Sequence, residues 1–214
     1  SRGCGSGSGS GSSSGSSSGS GRSGSSTHQP DQYQNSVFAG KEVSTIACPK
    51  CKHVSSKVST TEDCSLSLAT LVEPGETTIN DLLKDYYSTE VLTDANMFKC
   101  EGCESRQKVT KRLRMHTVPT TMVIHLKRLL LTTKVVHAVP FFQEMDISNF
   151  LSCSGRRHSV AGIFMQLHGV IVHKGSRWGG HYFAYVRQEH EWYKLDDGLP
   201  AVQVGLHVVL AAQA

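Results

Sequence analysis

No stretch of this 214-residue chain is apolar for long enough to cross a bilayer as a helix, which takes about 20 residues, so no membrane partner is expected. No secretory signal is visible. The cysteines number seven, an odd count, and four of them fall in C-x-x-C pairs. That usage points to a reducing, intracellular compartment, cytoplasm or nucleus. A large excess of one charge is also missing. The net charge is +4, and there is neither a basic helix nor an aromatic-interleaved basic patch, so no nucleic-acid partner is expected. The run Lys111-Arg112-Leu113-Arg114 reads as the solvated face of a strand. The first residue is Ser1 and not Met, which suggests a fragment.

The first ~26 residues are almost entirely Ser and Gly; such a segment cannot bury apolar surface and reads as a flexible tail. Order is expected to begin near Val37-Phe38. The chain thus divides into a tail, 1–36, and one folded domain, 37–214.

Within the domain, Val58 to Leu68 reads as strand. Ile79, Leu82, Leu83, Tyr86 and Tyr87 have helical spacing, with Thr78 placed to cap the helix. Lys108 to Val118 leads into a strand with Leu113 and Met115 on one face, ended by Pro119. Met122 to Leu131 is apolar and predicts a core strand, and Phe164 to His173 another. Asn149 to Ser159 is polar and predicts a loop. One helix among several strands predicts an α+β domain dominated by antiparallel sheet.

Two C-x-x-C pairs, Cys48-Pro-Lys-Cys51 and Cys100-Glu-Gly-Cys103, each aim two thiolates at one point. Together they supply the four soft ligands of a closed, structural zinc site. Redox pairs or plain reduced thiols are the alternatives. The wide gap between the pairs places the two knuckles on neighbouring hairpins.

Residues 181–188, His-Tyr-Phe-Ala-Tyr-Val-Arg-Gln, and residues 191–195, Glu-Trp-Tyr-Lys-Leu, are aromatic and β-branched segments around a short polar gap, which predicts a β-hairpin. An even loop, Gln188-Glu189 or Arg187 to His190, sets His181 directly opposite Asp196; an odd loop sets it opposite Asp197. A histidine held by an aspartate is the base and orienter of a nucleophilic enzyme, or an ordinary cross-strand contact. Gly179 and Gly180, just before the histidine, would let a substrate backbone approach closely.

Taken in order, these segments resemble the ubiquitin-specific proteases, cysteine deubiquitinases with a papain-like fold of fingers, palm and thumb. The resemblance runs over roughly residues 37–204. It is carried by Phe38-Ala39-Gly40, the two knuckles, Asp63-Cys64-Ser65-Leu66-Ser67-Leu68, Ile79-Asn80-Asp81-Leu82-Leu83, Leu113 to Arg128, and Leu167 to Asp197 with its Gly180-His181-Tyr182 box.

The resemblance implies His181 as general base and Asp196 as its orienting residue, with Asp197 as alternate. It implies structural zinc at Cys48, Cys51, Cys100 and Cys103, and a passage at Gly179 and Gly180 for the Gly-Gly tail of ubiquitin. Ubiquitin and ubiquitinated proteins would be the partners. The implied reaction is thiol-dependent hydrolysis of the bond after that tail. The family's nucleophile lies in a Gly-Asn-Thr-Cys-Tyr-like box upstream of this point. Here the upstream segment holds only Cys4, flanked by glycines; Cys64 and Cys153 also lie outside such a box. Residues 37–214 are therefore expected to be a partial catalytic domain, fingers and palm without the thumb and its cysteine box. Such a chain would be inactive alone; the alternative is a non-catalytic ubiquitin-binding module.

Overall fold

A computed structural model describes residues 36–68, 77–153 and 162–212. The chain divides into two units, 1–36 and 37–214; the description below concerns the second. In chain order its elements are β1 (Gly40–Ala47), β2 (Val54–Thr61), β3 (Cys64–Ser67), α1 (Ile79–Tyr86), β4 (Thr89–Leu92), β5 (Phe98–Cys100), β6 (Ser105–Gln107), β7 (Val109–Thr117), β8 (Ile124–Lys127), β9 (Glu144–Asp146), β10 (Phe164–Gln166), β11 (Gly169–Ser176), β12 (Gly179–Gln188), β13 (Glu191–Leu195), β14 (Val202–Val204) and α2 (Leu206–Leu210). The α+β class with mostly antiparallel sheet holds. Among the paired strands of the described residues, β3 and β8 run parallel. No helix among the described residues is long and apolar enough to cross a membrane.

Two four-stranded sheets dominate, β2-β1-β7-β4 and β11-β12-β13-β14. Helix α1 forms where the spacing predicts it. Thr78 caps it: the Asp81 N–H donates to Thr78 Oγ1 at 3.3 Å, and the Thr78 N–H donates to Asp81 Oδ2 at 3.2 Å. This reciprocal pair satisfies two backbone donors that a helix start leaves open. The apolar stripe of the helix buries Leu82 and Leu83 in a core with Leu66, Tyr87, Met115, Ile147 and Phe150. Each such side chain contributes roughly 1.5–3 kcal/mol by leaving water. A second core, Val170, Val172, Phe183, Tyr185, Trp192 and Val209, lies on one face of the β11–β14 sheet.

Four expectations change. Val58 to Leu68 is not one strand: β2 ends at Thr61, whose Oγ1 donates to the Asp63 carbonyl at 2.9 Å, and β3 begins at Cys64 and pairs with β8 instead of β1. The strand expected over Met122 to Leu131 is only Ile124–Lys127. Arg128 ends it by turning inward, where its Nη1 donates to the carbonyls of His137 at 2.7 Å and Val135 at 3.2 Å. The chain then reverses, with Leu130 N–H on Thr133 O, and Leu131 points outward, 88% exposed. Phe164 to His173 is two strands, not one: β10 pairs with β9, whereas β11 joins the larger sheet. They part at Leu167, whose N–H goes to Gln143 O, and at His168, whose carbonyl accepts from Arg187. Asn149 to Ser159 is not simply a loop. Ser148–Phe150 is a 3-10 turn that buries Phe150, and Leu151 is buried beside it; residues 154–161 lie outside the described set.

Candidate active site and metal centre

Strands β12 and β13 form the expected hairpin, but its register differs. Gln188 pairs with Glu191, so the two-residue turn is Glu189-His190 and not Gln188-Glu189. Glu189 takes the left-handed conformation, φ 53°. No glycine or asparagine marks the turn, so the sequence left its position undetermined. The pairing of Ala184 with Leu195, continued by one place, sets Phe183 opposite Asp196. His181 is two residues before Phe183 and therefore on the same face. Asp196 is thus its diagonal neighbour, not its direct partner, and diagonal side chains on one face are within reach of each other.

The contact is made: His181 Nε2 meets Asp196 Oδ1. The other oxygen, Oδ2, accepts from Lys194 Nζ at 2.5 Å. The Lys194 ammonium first, and the His181 contact second, hold the Asp196 carboxyl below the ordinary carboxylate range. An ionised carboxylate can only accept, so the proton in the His181 contact belongs to Nε2. That leaves Nδ1 as the nitrogen able to take a proton, on a ring whose side chain is half exposed, against 16% for Asp196. Asp197, the alternate, occupies a different position. Its left-handed backbone, φ 46°, opens a turn closed by Leu199 N–H on Asp196 O, and its Oδ2 lies 3.7 Å from Nδ1. The imidazole thus has one carboxylate at each nitrogen. Chemically, a half-exposed imidazole held by a carboxylate can act as an oriented base.

Gly180 is a glycine for a reason internal to the sheet. A Cβ there would lie 2.2 Å from the Lys174 carbonyl oxygen and 2.4 Å from His173 Nε2. The His173 ring in turn stacks on Tyr182, centroids 4.5 Å apart. Gly179 has open space where its Cβ would be.

The knuckles converge. Cys48-Cys51 joins β1 to β2 and Cys100-Cys103 joins β5 to β6. Both are followed by a left-handed residue, Lys52 (φ 63°) and Glu104 (φ 53°). The four sulfurs lie within 4.8 Å of one another and could bind a metal ion. Cys48 and Cys103 sulfurs are 3.9 Å apart, Cys51 and Cys100 3.5 Å. A tetrahedral site with metal–sulfur bonds of ~2.3 Å has edges of about 3.8 Å, so the donor set fits. Backbone donation from Cys51 pulls the Cys48 thiol down to about 7. Its hydrogen bond with Cys51 pushes Cys103 up to about 12, and burial raises Cys100. Cys48 thus ionises easily while Cys100 and Cys103 resist, a conflict among crowded thiols that a bound cation would relieve.

The other free thiol among the described residues, Cys64, is buried against the Tyr87 hydroxyl at 3.4 Å, and burial raises it to about 11. No free thiol among the described residues joins the His181 cluster; Cys4 lies outside the described set. Lys194 is a member of the site that the motifs alone do not mark. Its signal was present in Lys194-Leu195-Asp196, since residues two apart on a strand share a face.

Residues 14–202 match the model of one protein family, described as ubiquitin carboxyl-terminal hydrolase. Over 169 residues the chain is 35% identical to ubiquitin carboxyl-terminal hydrolase nonstop of Drosophila melanogaster, which covers 75% of this chain and 34% of that protein. Over 200 residues it is 28% identical to human ubiquitin carboxyl-terminal hydrolase 22, covering 76% of this chain and 38% of that protein. Among solved structures it is similar to the SAGA Ubp8/Sgf11/Sus1/Sgf73 DUB module bound to ubiquitin aldehyde, with TM-score 0.70, 27% identity, and coverage of 83% of this chain and 40% of that one. The yeast SAGA DUB module with altered Sgf73 gives TM-score 0.71 at 29% identity, covering 83% of this chain and 39% of that one. The chain therefore spans well under half the length of these relatives.

Proposed function

The chain belongs to the ubiquitin carboxyl-terminal hydrolase family, as a deubiquitinase of the ubiquitin-specific protease type, and from that premise we propose that His181 and Asp196 are the general base and orienting residue of a thiol-dependent ubiquitinyl hydrolase. The observation that carries this reading is the contact of Asp196 Oδ1 with His181 Nε2. It fixes the tautomer with Nδ1 free and stabilises the imidazolium that forms when Nδ1 takes a thiol proton. The bond cleaved is the isopeptide or peptide bond after the C-terminal Gly-Gly of ubiquitin. A thiolate attacks the carbonyl, His181 gives its proton to the leaving amine, and water, deprotonated by His181, releases the acyl group.

Ubiquitin and ubiquitinated proteins are the partners this reading requires. It is supported by likeness to a module solved with ubiquitin aldehyde. Gly179, open at its Cα, and Gly180 line the passage for the tail. The ion at Cys48, Cys51, Cys100 and Cys103 is zinc, because four thiolates at tetrahedral spacing suit zinc better than a hard cation. It locks the two knuckles and takes no part in the chemistry. The place of action is inside the cell.

In this reading the nucleophile is none of the free thiols among the described residues, nor Cys4, which stands between two glycines in a Ser/Gly tract, and this chain alone is inactive. The free thiols that are described support this, since four belong to the cluster and Cys64 is buried with a raised pKa. The same observation favours the second reading, a non-catalytic ubiquitin-binding module. A ubiquitin probe with a C-terminal electrophile separates them. This chain should stay unlabelled; labelling it would overturn the claim of inactivity. A longer product containing this sequence should be labelled, and should lose labelling with His181→Ala. A longer product that binds ubiquitin and is never labelled would establish the binding module instead.

A further inference from the structure

We propose that Lys194 is a positioning residue that decides which carboxylate orients His181; the proposal rests on the His181–Asp196 reading above. Two carboxylates flank the imidazole, Asp196 at Nε2 and Asp197 at 3.7 Å from Nδ1. A neutral imidazole has one N–H to give. Its tautomer therefore depends on which carboxylate is held in place and which is free to swing.

Lys194 supplies the difference. Its Nζ donates to Asp196 Oδ2 at 2.5 Å, which leaves Oδ1 for the imidazole. An aspartate with one partner can rotate about its last bond; one gripped at both oxygens is fixed in plane. A charge-assisted bond of this length is among the stronger ones a side chain makes. Lys194 is itself held. It sits opposite Tyr185 in the β12–β13 ladder, and its ammonium lies 4.6 Å from the centroid of the buried Phe183 ring. Its side chain is 33% exposed, and its ion pair among the described residues is with Asp196, so the stem lies along the sheet with the charge directed at that carboxylate. Asp197 has no comparable anchor. Its side chain is 80% exposed, and the salt bridges and hydrogen bonds of the described residues give it no contact with Lys194. The clamp therefore selects Asp196, and with it the Nε2–H tautomer that leaves Nδ1 as the base.

The test uses the full chain with 15N-labelled histidine. Long-range proton–nitrogen spectra read the tautomer of His181, assigned by its disappearance in His181→Gln. In the native chain, at a pH where the ring is neutral, the Nε2–H form should dominate. In Lys194→Met the signals should move toward a mixture of both tautomers, and Lys194→Arg should restore the native pattern. Backbone amide spectra establish that each variant is folded, and Lys194→Gln serves as a second neutral variant. A native tautomer unchanged in folded Lys194→Met or Lys194→Gln overturns the positioning role and leaves the His181–Asp196 pair standing. A native chain without a dominant Nε2–H form overturns the pair itself. Loss of folding in both neutral variants, with Lys194→Arg folded, makes Lys194 a structural residue and likewise overturns the proposal.

Discussion

Tyr87 donates its hydroxyl to Glu42 at 2.7 Å, joining the end of α1 to β1 through a carboxyl buried in the protein. Burial raises the Glu42 pKa above its ordinary 4.5, and the hydrogen bonds from Tyr87 and Tyr86 offset this only in part. A pKa raised by folding means that the folded state holds the proton more tightly. That contribution is full below the unfolded pKa and is lost as pH rises through the folded value. Glu42→Gln should therefore be at least as stable as the native chain at pH 8, and its stability should vary less with pH above 4.5. Tyr87→Phe should cost about 1–3 kcal/mol, because it strips a buried acceptor of its donor. Urea unfolding at pH 5 and pH 8 checks both, and a Glu42→Gln chain clearly weaker than native at pH 8 would contradict the argument.

The helix cap carries the opposite sign. Its pair with Lys84, and then its bonds to Thr78, pull Asp81 down to about 2. A depressed carboxyl stabilises the fold above its unfolded pKa, and the benefit disappears as pH falls through the folded value. Thr78→Ala should cost about 1 kcal/mol at neutral pH. Asp81→Asn should also weaken the chain at pH 7, by an amount that shrinks with added salt, because the Lys84 pair is exposed. The difference between Asp81→Asn and native should close as pH drops from about 4 toward 2. Denaturant midpoints across that range give the answer.

These two sites show what a sequence carries and what it omits. α1 was legible because apolar residues at i, i+3, i+4 and i+7 coincide with Thr78 and Asp81 three apart, so periodicity and capping agree. The knuckles were legible because C-x-x-C is a local geometry. The His181–Asp196 contact was legible for a less secure reason. The turn was misplaced by one residue on each strand, which moves the partner by two. A shift of two keeps every side chain on its face, so Asp196 passed from opposite to diagonal and stayed in reach. Long-range facts were not legible. Nothing near Met122 to Leu131 says that Arg128 will turn inward to the carbonyls of Val135 and His137. Nothing in Cys64–Ser67 says that it will pair in parallel with a strand some 60 residues on. Short α2, five residues long, has too few turns to show a period.

Gly179 and Gly180 are adjacent and should behave differently. Gly180→Ala would force a methyl group against the Lys174 backbone oxygen, which cannot move aside as a flexible side chain would. The expected loss is about 1–3 kcal/mol, as for other overpacked sites. Gly179→Ala meets nothing within 4 Å and should leave stability within about 1 kcal/mol of native. If Gly179 lines the passage for the ubiquitin tail, the same substitution should weaken ubiquitin binding without lowering the unfolding midpoint. Calorimetric titration with ubiquitin, beside thermal unfolding, separates the two effects. Equal stability losses at both positions would show that the β11–β12 ladder relaxes more than its geometry suggests.

Metal removal should damage one end of the protein and spare the other. Three of the four cysteines, Cys48, Cys100 and Cys103, pack with Val109, Ile46, Leu92 and Phe98 in a small core of their own, distinct from the cores around α1 and beneath the β11–β14 sheet. Four thiols crowded without a cation hold too little apolar area to fix two knuckles, so the ion supplies much of their local stability. Elemental analysis should find one zinc per chain. A strong chelator, Cys48→Ser or Cys103→Ser should cost several kcal/mol on the scale of structural zinc sites. Amide exchange should rise at Ile46, Phe98 and Val109 while Val172, Phe183 and Tyr185 keep their protection. Protons compete with the metal for thiolates, so zinc should leave as pH falls, and the release should shift to lower pH as free zinc is raised. A chain with no bound metal, or with exchange at Val109 unmoved by chelation, would show that the cluster holds itself together through the packing of its own thiols.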